Sequence, residues 1–311
     1  MVYTLTLNPA LDHIIYLSEM KEGGLNRTSR EFLEVGGKGI NVSLELAELD
    51  IKSRALGFVA GFTGYEIERQ LQERGIETDF VWLENGISRI NVKLKNYGSE
   101  KITETSLNSD GPDIPDAALI QLFTKLGAIS DGDTLVLSGS VPSSLPNDIY
   151  AQILEYLTGK SVKIVVDTQG EALASTLVYR PFLIKIDLDE LGRMFGERPA
   201  SMLEAAACAS NLREMGAGNI LISMAEDGAL FLDENGGSHY CAACKGKVRN
   251  TMGTGDAMLA GFLSGALDDD TDMDYALLLG TAASGATAFS DGIAKKDEIL
   301  DQMKILMKGN A

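Results

Sequence analysis

Residues 133–167 read DTLVLSGSVPSSLPNDIYAQILEYLTGKSVKIVVD. Two short apolar runs, DTLVLSG and VKIVVD, enclose the amphipathic stretch NDIYAQILEYL. Runs this short and apolar are strands buried on both faces, whereas the stretch between them spaces its apolar residues as a helix does. Strand, helix and strand in that order make a parallel pair with the helix laid across one face. The rhythm extends both ways along the chain. Further strands are VYTLTL near the start, RALGFVA around residue 57, FLIKID from 182 and NILISM from 219. Between them lie the helices INVSLELAEL, YEIERQLQERG, LIQLFTKLGA and a long one through 201–215. The expected fold class is α/β, a mainly parallel sheet with helices on both faces, in one domain covering 1–311.

Two stretches, about 11–35 and 85–108, break that rhythm. HIIYL, TSREFLEV, SRINVKLKN and KITETSL alternate with period two and carry no long helix. They predict a small antiparallel sheet standing off the main body, either an edge hairpin or a discontinuous lid over the edge where open α/β sheets bind ligands. Its outer face is a candidate surface for a second subunit, hence a homodimer.

Composition narrows the function. With 311 residues, 45% hydrophobic and only 7 prolines, the chain is long enough for a large core and lacks the bias of a disordered one. A formal charge of −18 excludes nucleic acid and anionic membranes as expected partners, because those recruit clustered cations. No apolar run reaches spanning length and no leader pattern opens the sequence, so a cytoplasmic location is expected. Of the three cysteines, Cys208 lies in an alanine-rich helix, and Cys241 and Cys244 form a lone CxxC near His239 without the second pair that zinc requires. The sequons at Asn26 and Asn41 carry no meaning without secretion.

The chemistry-bearing stretch is NTMGTGD at 250–256, followed by the apolar helix AMLAGFLSGAL. A helix start offers unpaired N–H groups and the positive end of the dipole, and the glycines let an anion approach them. The segment reads either as an anion cradle with an acid at its lip or as a capped, tight connection. Neither GxxxxGK[ST], nor GxGxxG after a strand, nor the glycine-loop, HRD and DFG set of protein kinases occurs, so the known nucleotide cradles do not explain it.

Five segments in order, TLNPALD at 6–12, GGKGINV at 36–42, SGSVP at 138–142, VDTQGEAL at 166–173 and NTMGTGD, resemble the ribokinase-like (PfkB) family of sugar kinases. SRINVKL at 88–94 together with TLNPALD is most similar to its branch acting on phosphorylated ketohexoses. The resemblance implies a phosphotransferase with an alcohol acceptor that uses ATP and Mg²⁺. The expected reaction is fructose 1-phosphate to fructose 1,6-bisphosphate, with tagatose 6-phosphate as the alternative sugar. It also implies roles. Gly253, Thr254 and Gly255 match the anion hole for the phosphoryl group in flight, and Asp256 the catalytic base. Beside a helix N-terminus that carboxylate is expected to be a weak base, because the dipole favours its ionised form.

On the sugar side, Asp12 is expected to accept from hydroxyls, Gly36, Gly37 and Gly39 to bring backbone close to the sugar, and Asn41 to donate to a hydroxyl. Lys38, Arg27 and Arg89 are the candidate cations for the substrate's phosphate, with Ser138 and Asn108 as further sugar-side residues. For the nucleotide, the usual Lys-Pro-Asn-x-x-Glu appears as KIDLDE, leaving Lys185, Asp187 in place of asparagine, and Glu190, which would hold Mg²⁺ through water. Ser223 and Gly228 match the nucleotide side, but Ala225 stands where glycine is usual. Both departures fit a rival reading, a sugar-phosphate-binding protein with weakened catalysis.

Overall fold

The computed structural model describes residues 1–96, 103–267 and 272–309. Residues 97–102, inside the second of the two off-rhythm stretches, lie outside the described residues.

The described residues form two sheets. From the N-terminus the strands are β1 (Val2–Thr6), β2 (Ala10–Leu17), β3 (Arg30–Gly36), β4 (Ser53–Ala60), β5 (Glu77–Thr78), β6 (Val81–Leu83), β7 (Arg89–Asn96) and β8 (Thr103–Leu107). The second half adds β9 (Thr134–Ser138), β10 (Lys163–Asp167), β11 (Leu183–Asp187), β12 (Asn219–Ser223), β13 (Ala229–Leu232) and β14 (Ser238–Cys241). Among the described residues, ten strands make the main sheet, in the order β14-β13-β12-β11-β10-β9-β1-β4-β5, with β6 paired to β4. It is parallel from β5 to β12. The stretch 133–167 becomes β9, the helix Ile149–Tyr156 and β10, as its pattern predicts.

Alternate side chains of each central strand enter different cores. Leu135, Leu137, Ile220 and Ile222 join the cluster on one face. Val136, Val165 and Leu221 join the other, which also contains Phe262 of the helix Thr254–Ala266. At about 1.5–3 kcal/mol for each fully buried large apolar side chain, these two layers dominate the folding energy. Because the central strands run parallel, their C-terminal residues Thr6, Ser138, Asp167, Asp187 and Ser223 emerge along one edge. The antiparallel edge β12-β13-β14 was not foreseen. Its two outer strands have only four residues each, too few to show a period.

The second sheet runs β3-β2-β7-β8. It corrects the expectation of an antiparallel sheet: β2–β3 and β7–β8 are antiparallel hairpins, but β2 and β7 pair in parallel. Both strands leave the main body at the same level, Ala10 opposite Arg89, so they run outward together. One face aligns Asp12 with Glu34 and Asn91, and further out Tyr16 with Arg30 and Lys95. The other face aligns Leu33, His13, Val92 and Leu107 in one row. Among the described residues no helix is long and apolar enough to cross a membrane.

Candidate active site

The helix Thr254–Ala266 starts at the edge where the parallel strands end, and Gly253, its N-cap, has φ 74°. That left-handed turn suits a residue without Cβ and aims the helix's first N–H groups outward. Two recesses meet there. One, of about 50 Å³, is lined by Asp12, Glu34, Asn41, Asn250 and Gly253. The other, of about 250 Å³, is lined by Asp187, Ser223, Ala225, Thr254 and Gly255. The helix tip therefore stands between a side containing Asp12 and a side built from the ends of β11 and β12.

Asp256 lies in the first turn of that helix and is only 6% exposed. Asn41 donates to its Oδ2 at 2.8 Å. Burial, reinforced by the charge of Asp167, pushes the Asp256 carboxyl up to about 6, against Lys38, the Asn41 hydrogen bond and Lys185. This corrects the expectation of a weak base. The dipole acts on every acid in a first turn, but here the loss of water and a second carboxylate outweigh it.

Asp167, which the sequence reading left without a role, is the hub of the site. It ends β10 fully buried and receives Lys38 Nζ at 3.0 Å, with Lys185 Nζ 3.8 Å away. Burial opposes its charge, yet Lys185 and Lys38 hold its carboxyl below the ordinary range. The same pairing holds the Lys38 ammonium above its ordinary value despite burial, with Asp256 and Glu190 contributing. Lys38, expected as a cation for the substrate's phosphate, pairs with the fully buried Asp167 while its own side chain is 36% exposed. A signal was present: a carboxylate closing the apolar run VKIVVD falls at the ligand-binding edge of a parallel sheet.

The three glycines before Asn41 stand close against the protein's own side chains. A Cβ on Gly36 would lie 2.6 Å from Asp12 Oδ2, and one on Gly39 2.6 Å from Thr6 Oγ1. They make room for the protein's own side chains, letting the start of the helix Lys38–Glu48 press against β1 and Asp12. Gly255 serves similarly, since a Cβ there would lie 2.8 Å from Lys185 Nζ. Lys185 is accordingly a neighbour of the backbone at the helix tip.

On the small sheet, Asp12 accepts from Asn91 Nδ2 at 2.7 Å, and burial raises its pKa against Asn91, Lys93 and Arg89. Arg89 donates from Nε to the Asn8 carbonyl at 3.0 Å. Lys93 was missed, although Arg89, Asn91, Lys93 and Lys95 alternate along one strand and so share the face of Asp12. It donates to Asn108 Oδ1 at 3.1 Å, which occupies the expected sugar-side Asn108. Arg27 is exposed in the connection between β2 and β3, beyond the outer end of β2, and the fold does not bring it to Asp12. Ser138 is fully buried beside Asp167, and its Oγ has no hydrogen-bond partner among the described residues.

On the other side, Asp187 and Glu190 form a reciprocal cap on the helix Leu188–Phe195: Glu190 N donates to Asp187 Oδ1 at 2.7 Å and Asp187 N to Glu190 Oε2 at 2.9 Å. An asparagine at 187 would supply the same capping oxygen, so aspartate keeps the local structure. Ala225 has φ 50°, the conformation that its expected glycine would adopt without strain. Gly228 does not line this recess; its missing Cβ makes way for the Cys241 carbonyl, 2.1 Å from where that atom would be.

Comparison with known proteins decides the family. Residues 5–299 match the pfkB family carbohydrate kinases. The chain belongs to that family. It is 40% identical over 308 residues to a 1-phosphofructokinase of Bacillus subtilis, covering 98% of this chain and 99% of the relative. It is 38% identical over 309 residues to a D-tagatose-1-phosphate kinase of Bacillus licheniformis, covering 98% and 99%. The fold matches phosphofructokinase-2 from Escherichia coli, solved with substrates and products, with a TM-score of 0.92 at 23% identity over 98% of this chain and 99% of that one.

Proposed function

We propose that this kinase transfers the γ-phosphoryl group of ATP to the 6-hydroxyl of fructose 1-phosphate, giving fructose 1,6-bisphosphate. The observation that carries the reading is the position of Gly253–Asp256 between the Asp12 recess and the Ser223 recess. With Asn41 engaging one oxygen of Asp256, the other is left to take the hydroxyl's proton. The helix N–H groups and Lys185 face the charge that develops on the transferring group. Asp12 and Asn91 receive sugar hydroxyls, and Arg89 and Lys93 the phosphate already present on the sugar. The small sheet acts as a lid that excludes water from the transfer.

The residues fit a magnesium ion carried in on the nucleotide. Among the described residues no three His, Cys, Asp or Glu groups converge on a resident metal site, whereas a phosphate-borne ion needs only one or two carboxylates besides water. Asp167 has one buried oxygen without a partner, and Glu190 would reach the ion through water. When bound, the ion would neutralise charge on the phosphates.

A second sugar is supported by the D-tagatose-1-phosphate kinase at 38% identity. Tagatose differs from fructose in the configuration of one hydroxyl, and a site discriminates such isomers by the polar group left unpaired. This rival carries its phosphate on C1, unlike the tagatose 6-phosphate expected from the sequence. A coupled assay of ADP release over a panel of fructose 1-phosphate, tagatose 1-phosphate, tagatose 6-phosphate and fructose 6-phosphate tests the reading. Highest kcat/KM is expected for fructose 1-phosphate, and a higher value for either tagatose ester would replace it.

The outer face of the lid supports a homodimer. Leu33 and Leu107 are 47% and 58% exposed in the same cross-sheet row as His13 and Val92. An apolar strand face left in water is a surface that pairing covers.

A further inference from the structure

The lid is joined to the anion hole by a buried ion pair. Lys95 and Glu104 sit directly opposite each other on β7 and β8, on the face that carries Asp12, with Lys95 Nζ 3.2 Å from Glu104 Oε1. The Lys95 side chain is 1% exposed. Its ammonium also donates to Asn250 Oδ1 at 3.2 Å, and Thr251 Oγ1 donates to Glu104 Oε2 at 2.6 Å. Both partners belong to the loop that leads into Gly253.

Within that loop Asn250 braces the backbone. Its Nδ2 donates to the Met252 carbonyl at 2.9 Å, and Met252 N donates back to its Oδ1 at 3.3 Å. From the opposite side the Ala288 carbonyl accepts from Arg249 N and Asn250 N at 2.8 and 3.2 Å. The segment just before the helix tip is therefore held between the helix Met273–Phe289 and the small sheet. A buried ammonium stripped of its acceptors is costly, so Lys95 and this loop keep their contact only while the sheet lies in the arrangement described.

We propose that Lys95 and Glu104 are positioning residues for phosphoryl transfer: through Asn250 and Thr251 they set the backbone of the anion hole, so that closing the lid also completes the catalytic end of the site. This rests on the sugar-phosphate kinase reading above. It differs from a lid that merely covers the sugar. A cover acts on sugar affinity and water exclusion, whereas a brace on the anion hole acts on the transition state.

The test uses the purified full chain, fructose 1-phosphate and ATP, with kcat and KM measured for Lys95→Met, Thr251→Val and Lys95→Arg. Misplacing an oriented group by about 1 Å costs on the order of a hundredfold. For Lys95→Met, kcat should fall by roughly tenfold to a hundredfold, with the sugar KM and the rate of sugar-free ATP hydrolysis relative to transfer little changed. Lys95→Arg should recover most of the loss, because it restores a cation beside Asn250 and Glu104. Thr251 is at the surface, so Thr251→Val keeps the test open if Lys95→Met does not fold, and a smaller fall in kcat is expected there. Variants that lower only the melting temperature, or that raise only KM or ATP hydrolysis, would overturn the proposal. A wild-type protein that turns over none of the phosphorylated ketohexoses would instead overturn the reading on which it rests.

Discussion

Asp256 is the residue on which most forces in the site converge. Its position after Gly255 was legible in NTMGTGD, because an acid in the first turn behind two glycines is a local pattern. Its proton affinity was not legible, since that depends on Asp167, Lys38 and Lys185, which reach it from two strands and a helix distant in sequence. A base must be ionised to accept a proton, so kcat/KM should be flat above neutrality and fall as pH drops through about 6. Asp167→Asn removes the like charge while both lysines remain. The acid limb of the kcat/KM profile should then move to lower pH. A limb that stays put or moves up would remove Asp167 from the account of this base.

At the scale of elements, two short pieces of structure carry measurable strain. Ala225 opens the 3₁₀ turn Ala225–Asp227 in a left-handed conformation, which costs a non-glycine residue about 1–2 kcal/mol. Ala225→Gly should tighten ATP binding, measured by calorimetry, by about fivefold if about 1 kcal/mol of that cost is relieved on the bound side. Unchanged affinity would mean that the turn's strain does not reach a nucleotide bound in the proposed Ser223 recess. In the helix Lys38–Glu48, Glu45 is fully buried, and among the described residues neither of its oxygens has a hydrogen-bond partner. Burial pushes its carboxyl up to about 8, helped by Glu48, Glu298 and Asp256 and opposed by Lys295.

The folded state therefore holds a proton on Glu45 that the unfolded chain releases at its ordinary value of 4.5. Stability from this group is full below that value and is lost as pH rises toward about 8. Glu45→Gln should raise the melting temperature more at pH 8 than at pH 5, by roughly 1–2 °C for each kcal/mol regained. A pH-independent difference would contradict this. The helix itself was legible from INVSLELAEL, but a glutamate on its buried face breaks the pattern that revealed it, so Glu45 drew no attention.

For the whole molecule, the parallel sheet and its ligand-binding edge were legible because buried strands and amphipathic helices are local signals repeated along the chain. What joins distant segments was less so. The parallel pairing of β2 with β7 and the exclusion of Arg27 from the site both follow from how two hairpins meet, which no single stretch encodes. Alternation along β7 did contain the site face, and it also left Leu33 and Leu107 on the outer face as the proposed dimer surface. Leu33→Asp should convert a sedimenting dimer to monomer with the melting transition retained. A wild-type monomer at micromolar concentration would remove the lid-mediated dimer.

The two recesses and the helix tip between them make one claim at this scale, that Asp256 accepts the proton of a sugar held in the Asp12 recess. The most direct measurement is kcat for Asp256→Asn with fructose 1-phosphate, alongside the sugar's dissociation constant. Loss of the base should lower kcat by roughly a hundredfold to ten-thousandfold with sugar binding within about threefold of wild type. Turnover close to wild type, or a loss that lies wholly in sugar binding, would contradict the assignment.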